Sequence, residues 1–352
     1  MQATVGAVDN GANAFAWHPY LGHNLIEEVS IEIGGQTIDK HYGTWLNIWN
    51  DLTQTSEKED GYKKMVGNTT AMTDTSGSGD LTAAPEYTMY VPLQFWFCRN
   101  PGLALPLIAL QYHEVKFNIT FAAFNQNLYV AAAGTPTAPS IEASLYVDYI
   151  YLDTDERRQF AQVQHEYLIE QLQFTGAETV SSGAYKSKLA LNHPCKELIW
   201  VVQDSLDTAA PTTYKTVNSA KLQLNGQDRF SERDGAYFNL VQPYQHHTCI
   251  PSEGVYVYSF ALNPEQHQPS GTVNMSRIDN ATLQLNLEAG SLKVFAVNYN
   301  VLRIMAGMGG LALRLILIIL EQSIKVSFEK ELASEVYNTL QHFQIDGKLL
   351  RA

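Results

Sequence analysis

Positive charge is what this chain has least of. Lys and Arg total 23 against 36 Asp and Glu, a formal charge of −13 over 352 residues. Gripping a phosphate backbone depends on clustered Lys and Arg, and no run here supplies a cluster, so no direct nucleic-acid contact is expected. Cysteine is scarce as well. Cys98, Cys195 and Cys249 are odd in number and widely spaced, which fits neither a disulfide ladder nor a paired metal motif. The opening MQATVGAVDN has no basic start and no apolar core, so no signal peptide is expected and synthesis is placed in a reducing cytoplasm. Long apolar runs are missing too. The stretch from Leu311 to Leu320 is ten residues and carries Arg314, too short to cross a bilayer, so no transmembrane segment is expected.

What is abundant points to strands and turns. There are 19 tyrosines, 23 glycines and 13 prolines spread along the chain, and the length leaves room for two domains. The stretch from Ser144 to Phe174 reads as their junction. Ser144 to Leu152 is β-branched, aromatic or leucine apart from Asp148, the pattern of a strand covered on both faces. Asp153 with Glu156 three residues on has the form of a capping box opening a surface helix. Leu168, Leu172 and Phe174 then share one face of a new strand, opposite Gln171 and Gln173.

The two sides of that junction resemble each other. Glu28 to Gly34 alternates as a half-buried strand turned by Gly34-Gly35, and Ile31 to Gln36 (IEIGGQ) matches Leu222 to Gln227 (LQLNGQ). Asn100-Pro101 after a strand over Tyr90–Phe97 matches Asn263-Pro264 after one over Val255–Leu262. The alternating His113–Phe121 matches Ala281–Leu287, and Val147-Asp148-Tyr149 matches Val297-Asn298-Tyr299. Four matches in one order imply a duplicated β domain. Residues 41–52 have apolar residues at helical spacing and read as a helix crossing one end of the sheet. Residues 67–85 read as a surface loop, and 103–110 as an irregular buried crossing because of Pro106. The second half has room for strands at 167–174, 186–191 and 198–202 before Leu222. The first half has only a loop-like 1–24 before its hairpin, so its opening strands are expected to be lacking.

Several strings carry a family resemblance: IEEVSIEIGGQTIDKHYGTW (26–45), NPGLALPLIALQYHEVKF (100–117), VDYIYLDTDERRQFAQ (147–162), HEYLIEQLQFTG (165–176), KLQLNGQDRF (221–230), SRIDNATLQL (276–285) and VNYNVLRIMAGMGGLA (297–312). Over residues 25–312 the chain resembles the major capsid protein of nucleocytoplasmic large DNA viruses, of the phycodnavirus and iridovirus type. The resemblance implies an all-β tandem double jelly roll, two antiparallel β-sandwiches. It implies a homotrimer forming a pseudo-hexagonal capsomer in the icosahedral shell of a virion made in host cytoplasm, in contact with neighbouring capsomers and minor capsid proteins. The expected divisions are 1–155 for a first, incomplete roll, 156–166 for a connector, 167–312 for the second roll and 313–352 for an atypical tail with a helical stripe (Phe328, Leu332, Val336, Leu340). The chain departs from the family in starting after its first strands and in running on past GMGGLA.

Candidate chemistry is thin. His246-His247 with Cys249 is the best metal candidate, but neighbours in a strand point to opposite faces. His113-Glu114 has the same difficulty. Asp153, Asp155 and Glu156 read as a solvated cap beside Arg157 and Arg158 rather than a carboxylate pair. Gly307 to Gly310 lacks the spacing of a phosphate loop. Sequons stand at Asn68, Asn118, Asn274 and Asn280. The expectation is therefore a non-enzyme with no catalytic, cofactor or metal residues and no cofactor. A carbohydrate-binding β-sandwich is the alternative from another class, and a cupin-like enzyme would need a His and Glu cluster that the sequence does not show.

Overall fold

The computed structural model describes residues 1–9, 15–73, 83–130, 137–203 and 214–312, so the tail expected to be atypical lies outside the described residues. The first half contains β1 (Gln2–Val5), β2 (Val8–Asp9), β3 (Phe15–Trp17), β4 (Ile26–Ile33), β5 (Gln36–Tyr42), β6 (Ala83–Ala84), β7 (Tyr87–Tyr90), β8 (Val115–Phe121), β9 (Leu128–Val130) and β10 (Ile141–Ser144). Five short helices intervene: α1 (Leu21–Asn24), α2 (Gly43–Thr53), α3 (Ser56–Met65), α4 (Thr70–Thr73) and α5 (Trp96–Arg99). α6 (Thr154–Gln162) follows. The second half contains β11 (His165–Val180), β12 (Gly183–Leu189), β13 (Pro194–Gln203), β14 (Val217–Leu224), β15 (Gln227–Asp228), β16 (Arg233–Asp234), α7 (Gln242–His246), β17 (Val255–Ser259), β18 (Val273–Asn274), β19 (Ala281–Leu287), β20 (Gly290–Met305) and β21 (Met308–Leu311).

The repeated IEIGGQ and LQLNGQ strings are the same object twice. Val29, Ile31 and Ile33 of β4 are buried, and Gly34 and Gly35 turn the chain at φ 60° and 79° into β5. In the second half β14 turns through Asn225 and Gly226 at φ 51° and 79° into β15. Two successive positive φ values suit Gly and Asn, and give a tight hairpin whose twist matches its strands. The outer neighbour also recurs. β8 pairs antiparallel with β4, Phe117 opposite Ile31, and β19 pairs antiparallel with β14, Leu283 opposite Leu222.

The second half is a sandwich of two antiparallel sheets, β11-β20-β13-β17 and β12-β19-β14-β15, with short strands appended. Leu198, Trp200 and Val202 of β13 and Leu292, Val294 and Ala296 of β20 fill the space between the sheets. Their alternate neighbours Ile199, Val201, Phe295 and Val297 are buried on the opposite face, so this sheet is covered on both sides. β11 and β20 are sixteen residues each and outrun the sandwich. Ile169, Leu302 and Ile304 at their far ends enter the first half's core beside Phe15, Trp17, Phe95 and Trp96.

The first half differs from the expectation at four places, one being residues 67–85, read as a surface loop, where α4 and β6 lie with Met72 and Ala84 buried. Residues 1–24 are not loop: β1, β2, β3 and α1 lie there, with Ala3, Val5, Phe15 and Trp17 buried. Two periods of small residues in β1 are too short a pattern to read. The strand expected over Tyr90–Phe97 ends at Tyr90, because Pro92 has no N–H to give a ladder and the chain turns into α5. Its residues Val91, Leu93, Phe95 and Trp96 are buried all the same. The strand expected over Ser144–Leu152 stops at Ser144. Its partner β1 places Gln2 opposite Ser144, so the ladder ends with β1. Leu145 to Tyr151 are exposed, with Tyr151 at 92%. The match of Val147–Tyr149 to Val297–Tyr299 therefore fails, since the latter three sit inside β20 with β11 alongside.

Residues 101–110 form two 3-10 turns, Pro101–Leu103 and Leu107–Ala109, in keeping with the irregular crossing expected. Asn100 caps the first, its Oδ1 accepting from Gly102 N at 2.9 Å, so this segment opens a turn rather than closing a strand. Gly102 has no positive φ, and a Cβ there would meet only Asn100 Oδ1, at 3.3 Å. Gly34 has positive φ, and its Cβ would lie 2.3 Å from the His113 ring. Gly34→Ala is expected to cost at least about 1 kcal/mol in urea unfolding, and Gly102→Ala within about 0.5 kcal/mol of nothing. Equal effects would show that the turn conformation does not set the requirement.

Candidate functional site

The contact between the halves gathers a group of buried polar residues, among them Asp39, Glu170, Gln171, Lys196 and Asn300. It starts from α2, whose Trp45, Ile48, Trp49 and Leu52 fall at helical spacing on one face. That face is buried against Ile199, Val201, Val255, Val257, Phe295 and Val297 of the second-half sheet. The sequence indicated a helix crossing its own sheet; the helix is there, but its apolar face belongs to the other half. At its start Gly43 passes so close to the chain that a Cβ would lie 2.5 Å from both His23 O and Ile26 O. His23 is fully buried, and burial lowers its pKa to about 4. Kept neutral, it satisfies both ring nitrogens: Nδ1 lies 2.7 Å from Asn47 Oδ1 and Nε2 2.7 Å from Tyr62 OH. Nδ1–H donating to Asn47 and Nε2 accepting from Tyr62 is the tautomer these partners require.

Hydrogen bonds then fix the register of one half on the other. Leu172 N of β11 donates to Asp39 Oδ1 of β5 at 3.0 Å, and Gln171 Nε2 donates to Ile38 O. Asn300 Nδ2 in turn donates to Gln171 Oε1 at 2.8 Å. Past the end of α2, Cys249 N donates to Leu52 O at 3.0 Å and Cys249 Sγ to Gln54 O at 2.9 Å, while Ser252 Oγ donates to Asp51 Oδ2 at 2.6 Å.

Beside this lies a cluster of three cations and three carboxylates. Lys196, fully buried on β13, donates to Glu170 Oε1 at 2.6 Å and sits 4.9 Å from the centre of the Tyr299 ring. The other oxygen of Glu170 meets Arg99 of the first half at 2.9 Å, and the Arg99 guanidinium stacks over Trp49 at 4.8 Å. His247 stands between two acids, Nε2 at 2.9 Å from Glu197 and Nδ1 at 3.0 Å from Glu265. The Glu197 contact is an ion pair out of hydrogen-bond alignment, with neither of its oxygens otherwise partnered. Burial alone would lower the pKa of His247, but Glu197 and Glu265 outweigh it and hold it at about 9. Burial would raise Glu265, yet His247 and Thr248 keep it below the usual carboxylate range. A cleft of about 170 Å³ opens here, its walls including Trp96, Arg99, Glu170, Glu265 and His267. With its charges already paired, the arrangement is a clamp.

The residues singled out in the sequence are not brought together. His247 faces Glu197 and Glu265, His246 Nδ1 lies 2.9 Å from Leu262 O, and Cys249 is bonded to the end of α2. Among the described residues no group of three or more His, Cys, Asp or Glu is arranged to hold a metal ion. His113 Nδ1 accepts from Gly309 N at 3.0 Å. Asp153 and Glu156 form the expected capping box on α6. Gly307 lies in the turn between β20 and β21 at φ 80°. Asn118, Asn274 and Asn280 are exposed and Asn68 is half-buried. Of the clamp residues, His247 stood out in the sequence, though for a metal rather than for its two acids, and Lys196-Glu197 shows as a charged pair inside an otherwise apolar strand.

Two halves of antiparallel strands, built on the same hairpin and locked together by an apolar helix and internal ion pairs, have the architecture of the double jelly-roll class. The comparisons agree. A family described as large eukaryotic DNA virus major capsid protein matches residues 156–310, and one described as major capsid protein N-terminus matches residues 1–153. The major capsid protein of Pyramimonas orientalis virus is 57% identical over 322 residues, covering 83% of this chain and 77% of that protein. That of Paramecium bursaria Chlorella virus 1 is 41% identical, covering 83% of this chain and 80% of that protein. Among solved structures, PBCV-1 VP54 superposes with a TM-score of 0.71 at 40% identity, covering 88% of each chain. The Faustovirus major capsid protein has the same fold, with a TM-score of 0.65 at 15% identity over 86% of this chain and 77% of that one. This chain belongs to the major capsid protein family of large eukaryotic DNA viruses.

Two outcomes are expected of the clamp. Glu170→Ala, leaving Lys196 and Arg99 without their shared carboxylate, should cost roughly 3–5 kcal/mol in chemical unfolding, against less than about 1 for Glu166→Ala, whose pair with Arg303 is exposed. Similar costs would place no special weight on the buried pairs. The second concerns pH. His247 is held at about 9, above its usual 6.5, so its contribution is complete below pH 6.5 and is lost as pH rises through about 9. Lys293, lowered to about 8 by burial, acts in the opposite sense between there and 10.5. The difference in Tm between wild type and His247→Gln isolates the His247 share. It should be widest at pH 6 and shrink towards pH 9 and above. A gap that does not change with pH would contradict the clamp's charge state.

Proposed function

We propose that three copies of this chain form a pseudo-hexagonal capsomer, which tiles with its neighbours and with minor capsid proteins in the virion. The observation that carries the reading is the duplication. The same positive-φ hairpin, with the same outer strand, occurs once in each half, so a threefold particle presents six similar lobes. Rigid lobes are needed for such packing, and the clamp between the halves supports that. The divisions proposed are 1–155 for the first roll, 156–166 for the connector and 167–312 for the second. The chain acts without catalysis and without direct nucleic-acid contact, in keeping with its −13 charge and with the structural role of its relatives. Its synthesis is placed in host cytoplasm.

Light scattering on the full chain at micromolar concentration tests the reading. A base particle of three chains is the expected result. A base particle of one chain that persists as concentration rises would overturn it.

A further inference from the structure

The connection from β16 to β17 in the second half repeats the segment of the first half that contains α2. Residues 43–52 read GTWLNIWNDL and residues 235–244 read GAYFNLVQPY, with a glycine, an aromatic, an asparagine and an aliphatic at the same places. The packing repeats with the letters. A Cβ on Gly43 would lie 2.5 Å from the carbonyl of Ile26, the first residue of β4, and a Cβ on Gly235 would run into the carbonyl of Val217, the first residue of β14. Leu46 is buried in the first-half core and Phe238 in the second-half core. Asn47 and Asn239 are both buried, and each donates from Nδ2 within its own half, to Asn24 Oδ1 at 2.9 Å and to Val255 O at 2.8 Å. The outward faces are where the two segments part. Trp45, Ile48, Trp49 and Leu52 are buried on the second half. Their counterparts are Tyr237, Leu240, Val241 and Tyr244, on a π-helical turn (Tyr237–Val241) that runs into α7. Leu240 is 47% exposed, Val241 39% and Tyr244 78%, while Tyr237 is half-buried with Arg233 4.2 Å over its ring.

We infer that this second face docks on the first half of a neighbouring copy of the chain, against the outer side of the sheet β10-β1-β7. That sheet is the counterpart of the one α2 covers: β1 pairs antiparallel with β10 and β7 as β13 does with β20 and β17. Ala3, Val5 and Met89 point into the first-half core, which turns Gln2, Thr4, Thr88 and Tyr90 outward. Gln2 lies opposite Tyr90, and Thr4 Oγ1 is 3.0 Å from Thr88 Oγ1. The inference rests on the capsomer reading and supplies its interface. Within a chain the first half reaches the second through α2. Between chains the second half reaches the next first half through residues 237–244. Three contacts of each kind alternate around one ring, and a contact between two different patches closes when its rotation returns to the start. The two seats differ in polarity for a physical reason. The seat of α2 is covered in every folded chain and is aliphatic, whereas the seat offered to another chain meets water before assembly and carries threonines and a tyrosine. Contacts between separately folded chains keep a surface-like composition enriched in aromatics.

The photo-crosslinking residue p-benzoylphenylalanine, placed at Tyr244 of the full chain and mapped by peptide mass spectrometry after irradiation, reads the seat directly. The expected product joins position 244 to a peptide of another copy that contains residues 2–5 or 87–90. Heavy-isotope chains mixed in before assembly mark it as interchain. Leu240→Arg with Tyr244→Arg should weaken three-chain association by at least about tenfold in light scattering. Both positions are exposed, so hydrogen-exchange protection of β13 and β20 should be unchanged. A three-chain particle in which position 244 links to residues 237–246 of another copy, or to no other copy, would overturn the inference and leave the capsomer reading standing. So would a double variant that associates as the wild type does. A wild-type particle of one chain would remove both.

Discussion

Burial of the tryptophan face of α2 on the outer side of the second-half sheet is the interaction on which the rest of the molecule depends. Without it, Ile199, Val201, Val255, Val257, Phe295 and Val297 would form one open apolar patch, and Trp45 and Trp49 another. Each large apolar side chain taken from water contributes about 1.5–3 kcal/mol, so several together outweigh any single polar contact at the seam. The hydrogen bonds from Leu172 and Gln171 to Asp39 and Ile38 then select one register among those the greasy contact would allow.

The ion pairs have a different role. Burying Lys196, Glu170, Glu197 and His247 costs desolvation that the pairing largely repays, so the cluster adds little net stability and much discrimination. A displacement of Arg99 relative to Glu170 would strand a buried charge. That makes the relative placement of the halves nearly all-or-none. For a capsid subunit the consequence is shape: lobes fixed to one another can tile, and lobes that swivel cannot.

Much of this was legible in the sequence, for local reasons. The hairpins at Gly34-Gly35 and Asn225-Gly226 announce themselves by residues that tolerate positive φ, and the α6 cap by the Asp153 and Glu156 spacing. Strand identity beyond that depends on partners. Leu145 to Leu152 has every local mark of a strand and is not one, because pairing is a property of two segments and β1 lies opposite β10 only as far as Ser144. Residues 91–97 have the apolar content but carry Pro92. The spacing of Trp45 and Trp49 indicates that α2 has an apolar partner without naming it, and the clamp joins residues from 99 to 265 that nothing in sequence order associates.

The claim that α2 makes the two halves one body is tested most directly by hydrogen exchange on Trp45→Ala. Truncating a buried tryptophan typically costs about 3–5 kcal/mol. If the halves are joined as described, protection should fall together in β4 and β8 of the first half and in β13 and β17 of the second. Loss confined to α2, or to one half while the other keeps its protection, would contradict the claim.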